Sequence, residues 1–113
     1  NEIAEYYDKN IDCTINNLVL PEISSSKSFA WAQYTLRCSK RDSLVAKLKS
    51  EGIPTAIYYP IPLNEQKAYK QCNVVSSGIP NTQKFCKEVF SLPMSPYLTN
   101  EQQNFIVEKI NSF

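Results

Sequence analysis

The 113 residues contain no histidine, only two glycines, and a single methionine and tryptophan. Each scarcity removes a class of function. Without histidine the chain holds no Ser-His-Asp or Cys-His centre and no imidazole zinc site. Gly52 and Gly78 stand too far apart for a P-loop or a G-x-G-x-x-G turn. No apolar run is long enough to cross a bilayer, and the opening Asn1–Tyr6 is too polar for a signal peptide, so a cytoplasmic location without a membrane partner is expected. Twelve basic and eleven acidic residues leave a charge of +1, which carries no footprint of nucleic-acid binding. The four cysteines never form a C-x-x-C pair, so buried reduced thiols are expected, with no disulfide framework and no metal site.

What is present suits one ordinary core. A 12.9 kDa chain should fold to roughly 6,300 Å² of surface, about a third of its unfolded value. The sole methionine is Met94, and Ile3, Ala4, Tyr7 and Ile11 make a helical stripe with no capping residue ahead of it. A helix already under way, within a longer protein, is the expectation. Residues 1–27 read as the end of an interdomain helix and a connecting segment, and residues 28–113 as the domain proper, the loop-like cluster Ser24–Ser28 lying across the boundary.

Phe29–Cys38 alternates, with Ala30, Ala32, Tyr34, Leu36 and Cys38 on one face and Phe29, Trp31, Gln33, Thr35 and Arg37 on the other. The second face mixes aromatic and hydrogen-bonding groups and is expected to meet a partner. A helix follows, capped by Ser39 or Asp42, striped by Leu44, Val45 and Leu48, and ended by Gly52 with Ile53 as its Schellman contact. Thr55–Tyr59 is β-prone and runs into Pro60-Ile61-Pro62; Asn64 then caps a short helix through Tyr69. Pro80-Asn81 opens a helix carrying Phe85, Val89 and Phe90, and Ser91–Met94 breaks it as an extended piece. Thr99-x-x-Gln102 is a capping box for a last helix bearing Ile106, Ile110 and Phe113. The order predicts an α+β domain: a small antiparallel sheet with helices on one face.

The densest chemistry lies in Tyr58–Gln66, where two prolines fix the backbone beneath two phenols and two amides. In an extended segment the two tyrosines point to opposite sides, so residue chemistry alone favours one buried and one exposed. Glu65 has no spacing that pairs it with Glu51 or Glu88, and the Lys47/Lys49 and Lys67/Lys70 pairs read as solvated helix faces. No lysine lies in an apolar stretch that would turn it into a nucleophile. No catalytic residue is identified.

Taken together, Ala32–Arg37, Arg41-Asp42-Ser43-Leu44, Gly52-Ile53-Pro54-Thr55 through Tyr59-Pro60-Ile61-Pro62-Leu63, and Ser91-Leu92-Pro93-Met94-Ser95-Pro96-Tyr97-Leu98-Thr99 resemble the C-terminal domain of the DegT/DnrJ/EryC1/StrS aminotransferases. The resemblance implies the small domain of a fold-type I, pyridoxal-phosphate-dependent enzyme that aminates nucleotide-linked keto sugars, with glutamate as donor. It implies that a large N-terminal domain, absent from this sequence, holds the cofactor and its Schiff-base lysine. It also implies a homodimeric parent whose small domain closes over the sugar, in cell-surface polysaccharide or related biosynthesis. By this analogy Tyr58, Tyr59, Asn64, Gln66 and Gln33 are the substrate-binding candidates. Relatives often carry histidine at the positions of Tyr58 and Asn64; a phenol can donate a hydrogen bond there but does not titrate near neutrality. The Ala-Gln-Tyr-Thr strand and Tyr58 resemble the subgroup acting on UDP-linked 3-keto-N-acetylglucosaminuronic acid. The rival reading is a non-catalytic regulatory or dimerisation module on the same fold.

Overall fold

The alternating segment contracts, in the computed structural model, to a four-residue strand β1 (Tyr34–Arg37). The structure describes residues 1–15, 17–24 and 29–113; all of the Ser24–Ser28 connector except Ser24 lies outside the described residues. Among the described residues four helices form, α1 (Glu2–Asn10), α2 (Arg41–Ser50), α3 (Pro80–Glu88) and α4 (Asn100–Asn111), and the second strand is β2 (Val89–Leu92). The strands pair antiparallel, Tyr34 opposite Leu92 and Leu36 opposite Phe90. Single antiparallel bridges widen the sheet on both edges, Val19 to Arg37 and Ala56 to Ser91. The α+β architecture is that expected from the sequence.

Pleating sorts the sheet into two faces. Tyr34, Leu36, Phe90 and Leu92 are buried with Ala4, Tyr7, Leu44, Leu48, Ile106 and Ile110 in one core. On the opposite face Thr35 Oγ1 and Ser91 Oγ lie 2.9 Å apart as a cross-strand pair. Three alternation assignments fail ahead of Tyr34. The chain bends at Ala32, so period two does not carry through, and Ala30 and Ala32 are exposed. Trp31 instead packs against the core, its ring 5.2 Å from that of Tyr34 and 4.8 Å from that of Phe29.

Local signals explain the helix ends. In α4 the Gln102 N–H donates to Thr99 Oγ1 at 3.2 Å, and the Thr99 N–H donates to Gln102 Oε1 at 2.9 Å, completing the capping box. At the end of α2, Gly52 adopts φ +77°, its N–H donating to Lys49 and that of Ile53 to Leu48, the two bonds of a Schellman motif. The start of α2 departs from expectation. Lys40 occupies the cap position, with no side-chain cap bond from Ser39 or Asp42. Instead of one short helix capped by Asn64, two 3₁₀ turns form, Leu63–Glu65 and Lys67–Tyr69, because Gln66 between them is extended. The predicted Thr55–Tyr59 strand pairs only at Ala56, between Pro54 and Pro60, which donate no N–H.

The α1 stripe packs on α4, and Asn111 joins them: its Oδ1 accepts the Asp12 N–H and its amide donates to the Asn10 carbonyl. Within this packing Tyr34 donates its hydroxyl to Asp8 Oδ1, and Tyr7 donates to the Pro93 carbonyl at 3.0 Å. Burial pushes the Tyr7 phenol up to about 12, and burial followed by the Asp8 contact raises that of Tyr34 further. Among the described residues no disulfide forms: Cys38 and Cys86 are buried as expected, whereas Cys13 and Cys72 are exposed, outside the hydrophobic stripes.

Candidate functional site

Beyond Ile57 the chain leaves the core, and it contributes no further member until Phe90. In this excursion Tyr58 and Tyr59 are 51% and 68% exposed, so the expectation of one buried tyrosine does not hold. Their peptide bond is cis, and the two rings meet edge to face with centroids 5.8 Å apart. Ile61, Leu63, Tyr69, Val74 and Val75 are also exposed. Pro60 and Pro62 line a groove of about 290 Å³ whose far wall is Gln83, Cys86 and Lys87 of α3.

The turn is closed by its own backbone. The Glu65 N–H donates to Pro62 at 3.0 Å, that of Gln66 to Leu63 at 3.2 Å, and that of Tyr69 to Gln66 at 2.9 Å. Half-buried Asn64 lines a second groove, of about 350 Å³, with Leu63, Tyr69, Val74 and Ile79. Gln66 is half-buried between the two 3₁₀ turns. Tyr58, Tyr59, Asn64 and Gln66 therefore share one proline-fixed turn. Gln33 does not join them: it is exposed just before β1, and the ladder puts β2 between it and the Ala56 segment leading to Tyr58.

Three residues that hold this site in place were not singled out as functional by the sequence. Gln83 Nε2 of α3 donates to Glu65 Oε1 at 3.1 Å, tying helix to turn. Arg41 is 7% exposed, and its Nη1 donates to the Val89 carbonyl at 2.9 Å and the Cys86 carbonyl at 3.3 Å. Arg37 donates to Glu88 Oε2 from Nε and Nη2, with its guanidinium 4.3 Å from the Phe85 ring centroid. These contacts end α3 at Glu88 and start β2 at once, so Val89 and Phe90 are strand residues rather than helix residues. The three carboxylates considered for pairing have separate partners: Glu65 takes Gln83, Glu51 takes Lys109, and Glu88 takes Arg37.

Among the described residues no His, Cys, Asp or Glu cluster could hold a metal ion, and no lysine is buried. The arrangement provides hydrogen-bond donors, acceptors and flat aromatic faces on a rigid turn. That chemistry suits binding and orienting a polyhydroxylated ligand rather than transferring a proton.

Comparison with known proteins gives a consistent picture. The DegT/DnrJ/EryC1/StrS aminotransferase family model matches residues 1–111. A Pleiotropic regulatory protein of Geobacillus stearothermophilus is 39% identical over 97% of this chain and 30% of its own length. The UDP-2-acetamido-2-deoxy-3-oxo-D-glucuronate aminotransferase of Pseudomonas aeruginosa is 44% identical over 86% of this chain and 26% of its own. The crystal structure of a DegT DnrJ EryC1 StrS aminotransferase from Brucella abortus superposes with a TM-score of 0.88 and 37% identity, covering 98% of this chain and 29% of that one. The chain thus spans about 30% of the length of the relatives it matches. Matched over nearly its whole length, it belongs to the DegT/DnrJ/EryC1/StrS aminotransferase family.

Proposed function

We propose that the chain is the C-terminal domain, residues 28–113 with a connector before it, of a pyridoxal-phosphate-dependent nucleotide-sugar aminotransferase. In this reading Tyr58, Tyr59, Asn64 and Gln66 bind the keto sugar; Gln33, on the other side of β2, does not meet it at this turn. The observation that carries the reading is the exposure of both phenols on a turn that two prolines hold and no core residue needs. Burying such side chains favours folding, so leaving a row of them uncovered implies another task.

The cofactor supplies the electron sink for amino-group transfer and needs a lysine to anchor it. The lysines described here do not fit that role: half-buried Lys47 donates to Ser112, half-buried Lys109 pairs with Glu51, and the other described lysines are exposed. The cofactor site is accordingly assigned to a large N-terminal domain, and the part of this chain is to position substrate. The surface agrees with a covered neighbour. The exposed area is 7,803 Å² against roughly 6,300 Å² for a compact monomer of this mass. The radius of gyration is 15.7 Å against about 13 Å. The excess, on the order of 1,500 Å² on this chain alone, is more than the roughly 800 Å² that each partner gives to a standard interface. Packing against the large domain and a homodimer partner would use it.

The likeness to the Pseudomonas aeruginosa enzyme favours a UDP-linked 3-keto uronic acid as substrate; glutamate as donor and a place in surface-polysaccharide synthesis are what the family resemblance implies. The likeness to the regulatory protein favours a second reading, a non-catalytic module on the same fold. One assay separates them. The full-length protein, loaded with pyridoxal phosphate and given glutamate and the keto sugar, should release 2-oxoglutarate and amino sugar. Tyr58→Phe and Asn64→Ala should weaken sugar use but leave glutamate use intact. A loaded protein that releases no 2-oxoglutarate with any keto sugar nucleotide would support the regulatory reading.

A further inference from the structure

We propose that Arg41 is a positioning residue for the Tyr58–Gln66 turn, acting through α3; the proposal rests on the reading that this turn faces the sugar. The first half of α3 is exposed, and the helix is fixed at its last turn. There the buried Arg41 guanidinium occupies the Cys86 and Val89 carbonyls, the Cys38 N–H donates to the Glu88 carbonyl, and Arg37 takes the Glu88 carboxylate. A helix ending without such partners would leave its final carbonyls unsatisfied. Nη1 alone donates to both, while Nε of the same rigid plane donates to Asp42 at the start of α2, so the direction of the helix is set as well as its end. One turn earlier, Gln83 holds Glu65, and Lys87 and Cys86 wall the groove under Pro60 and Pro62. The helix is a cantilever: clamped at Arg41, it carries the turn at its side.

The arrangement gives Arg41 an effect on substrate that it never touches. A lysine ammonium has no second nitrogen, fixed in the same plane, to hold Asp42 while the first meets α3, so Arg41→Lys keeps the charge but lets α3 swing. Gln83→Ala releases the turn from the solvent side, without disturbing the buried clamp, and stays informative should the Arg41 variant fold poorly. Glu65→Gln retains an acceptor for the Gln83 amide, whereas Glu65→Ala does not.

The experiment is amide hydrogen exchange on the full-length protein, paired with steady-state kinetics. Arg41→Lys and Gln83→Ala should each speed exchange of the Glu65, Gln66 and Tyr69 amides about tenfold while the α4 amides stay protected. The double variant should be little faster than either single one, because both act on one linkage. The KM for the keto sugar nucleotide should rise about fivefold at unchanged kcat, with Glu65→Gln near wild type and Glu65→Ala matching Gln83→Ala. Unchanged turn exchange in both variants, or equal acceleration across β1, α2 and α4, would overturn the linkage. Faster turn exchange with an unmoved KM would instead retain the linkage and refute the sugar-facing role of the turn.

Discussion

The core and the segment from Tyr58 to Phe85 are made of similar residues used in opposite ways. Tyr7 and Tyr34 are fully buried, each hydroxyl donating to a fixed acceptor; Tyr58, Tyr59 and Tyr69 are exposed. Leu36 and Ile110 fill the core, whereas Ile61 and Leu63 face outward from a turn. The difference follows from chain context. Core aromatics belong to elements with a pleat or a helical stripe, which buries one side. The exposed ones lie between prolines and in three-residue 3₁₀ turns, which have no inner face. Side-chain identity sets what burial would contribute, and backbone period decides whether it is collected.

The sharpest way to test this contrast is to truncate one aromatic from each half. Phe90→Ala should destabilise the chain by about 3–5 kcal/mol, read as a lower urea midpoint, because a fully buried ring leaves a cavity between sheet and helices. Tyr59→Ala should change stability by no more than about 0.5 kcal/mol, yet cut kcat/KM for the sugar in the full-length protein about tenfold, worth about 1.4 kcal/mol. A large stability loss at Tyr59 would erase the distinction. Gly52→Ala sharpens it from the backbone side. An added Cβ would meet nothing within 4 Å, so the expected loss of about 1 kcal/mol in urea denaturation comes from φ +77° alone. The smallest effect below pH 10 belongs to Tyr7. Its phenol titrates higher folded than unfolded, so its contribution is whole below pH 10 and fades as pH climbs toward about 12. Urea midpoints should fall between pH 9.5 and 11, and Tyr7→Phe should make that slope shallower, leaving the share that belongs to Tyr34.

The legible parts of the molecule were those with local grammar. The Thr99 capping box, the Gly52 stop and the stripes of α1, α2 and α4 depend on residues within a few positions of each other, and each formed as read. The α3–β2 junction was not legible, because what ends the helix is a guanidinium 45 residues away in sequence from Cys86. Trp31 escaped for a related reason: the bend at Ala32 breaks the alternation on which its outward assignment depended. Of the site, four of the five candidate residues share one turn, which contiguity in sequence made visible. Gln33 was joined to them only by family analogy, and the ladder keeps it apart. The support beneath the turn, Gln83 and Arg41, could not be found by motif, since a glutamine on an exposed helix and an arginine before a helical stripe have no signature of their own.

The direct passage from Glu88 of α3 to Val89 of β2 bears on which insertions the gene can tolerate. One added codon there would either rotate the helix by about 100° or turn the strand over, moving Phe90 and Leu92 out of the core. An added codon among residues 70–78 has neither consequence, since no helix or strand occupies that stretch and no core residue lies in it. Length variation among descendants of this gene should therefore gather between the second 3₁₀ turn and Ile79, and stop sharply at the helix–strand seam.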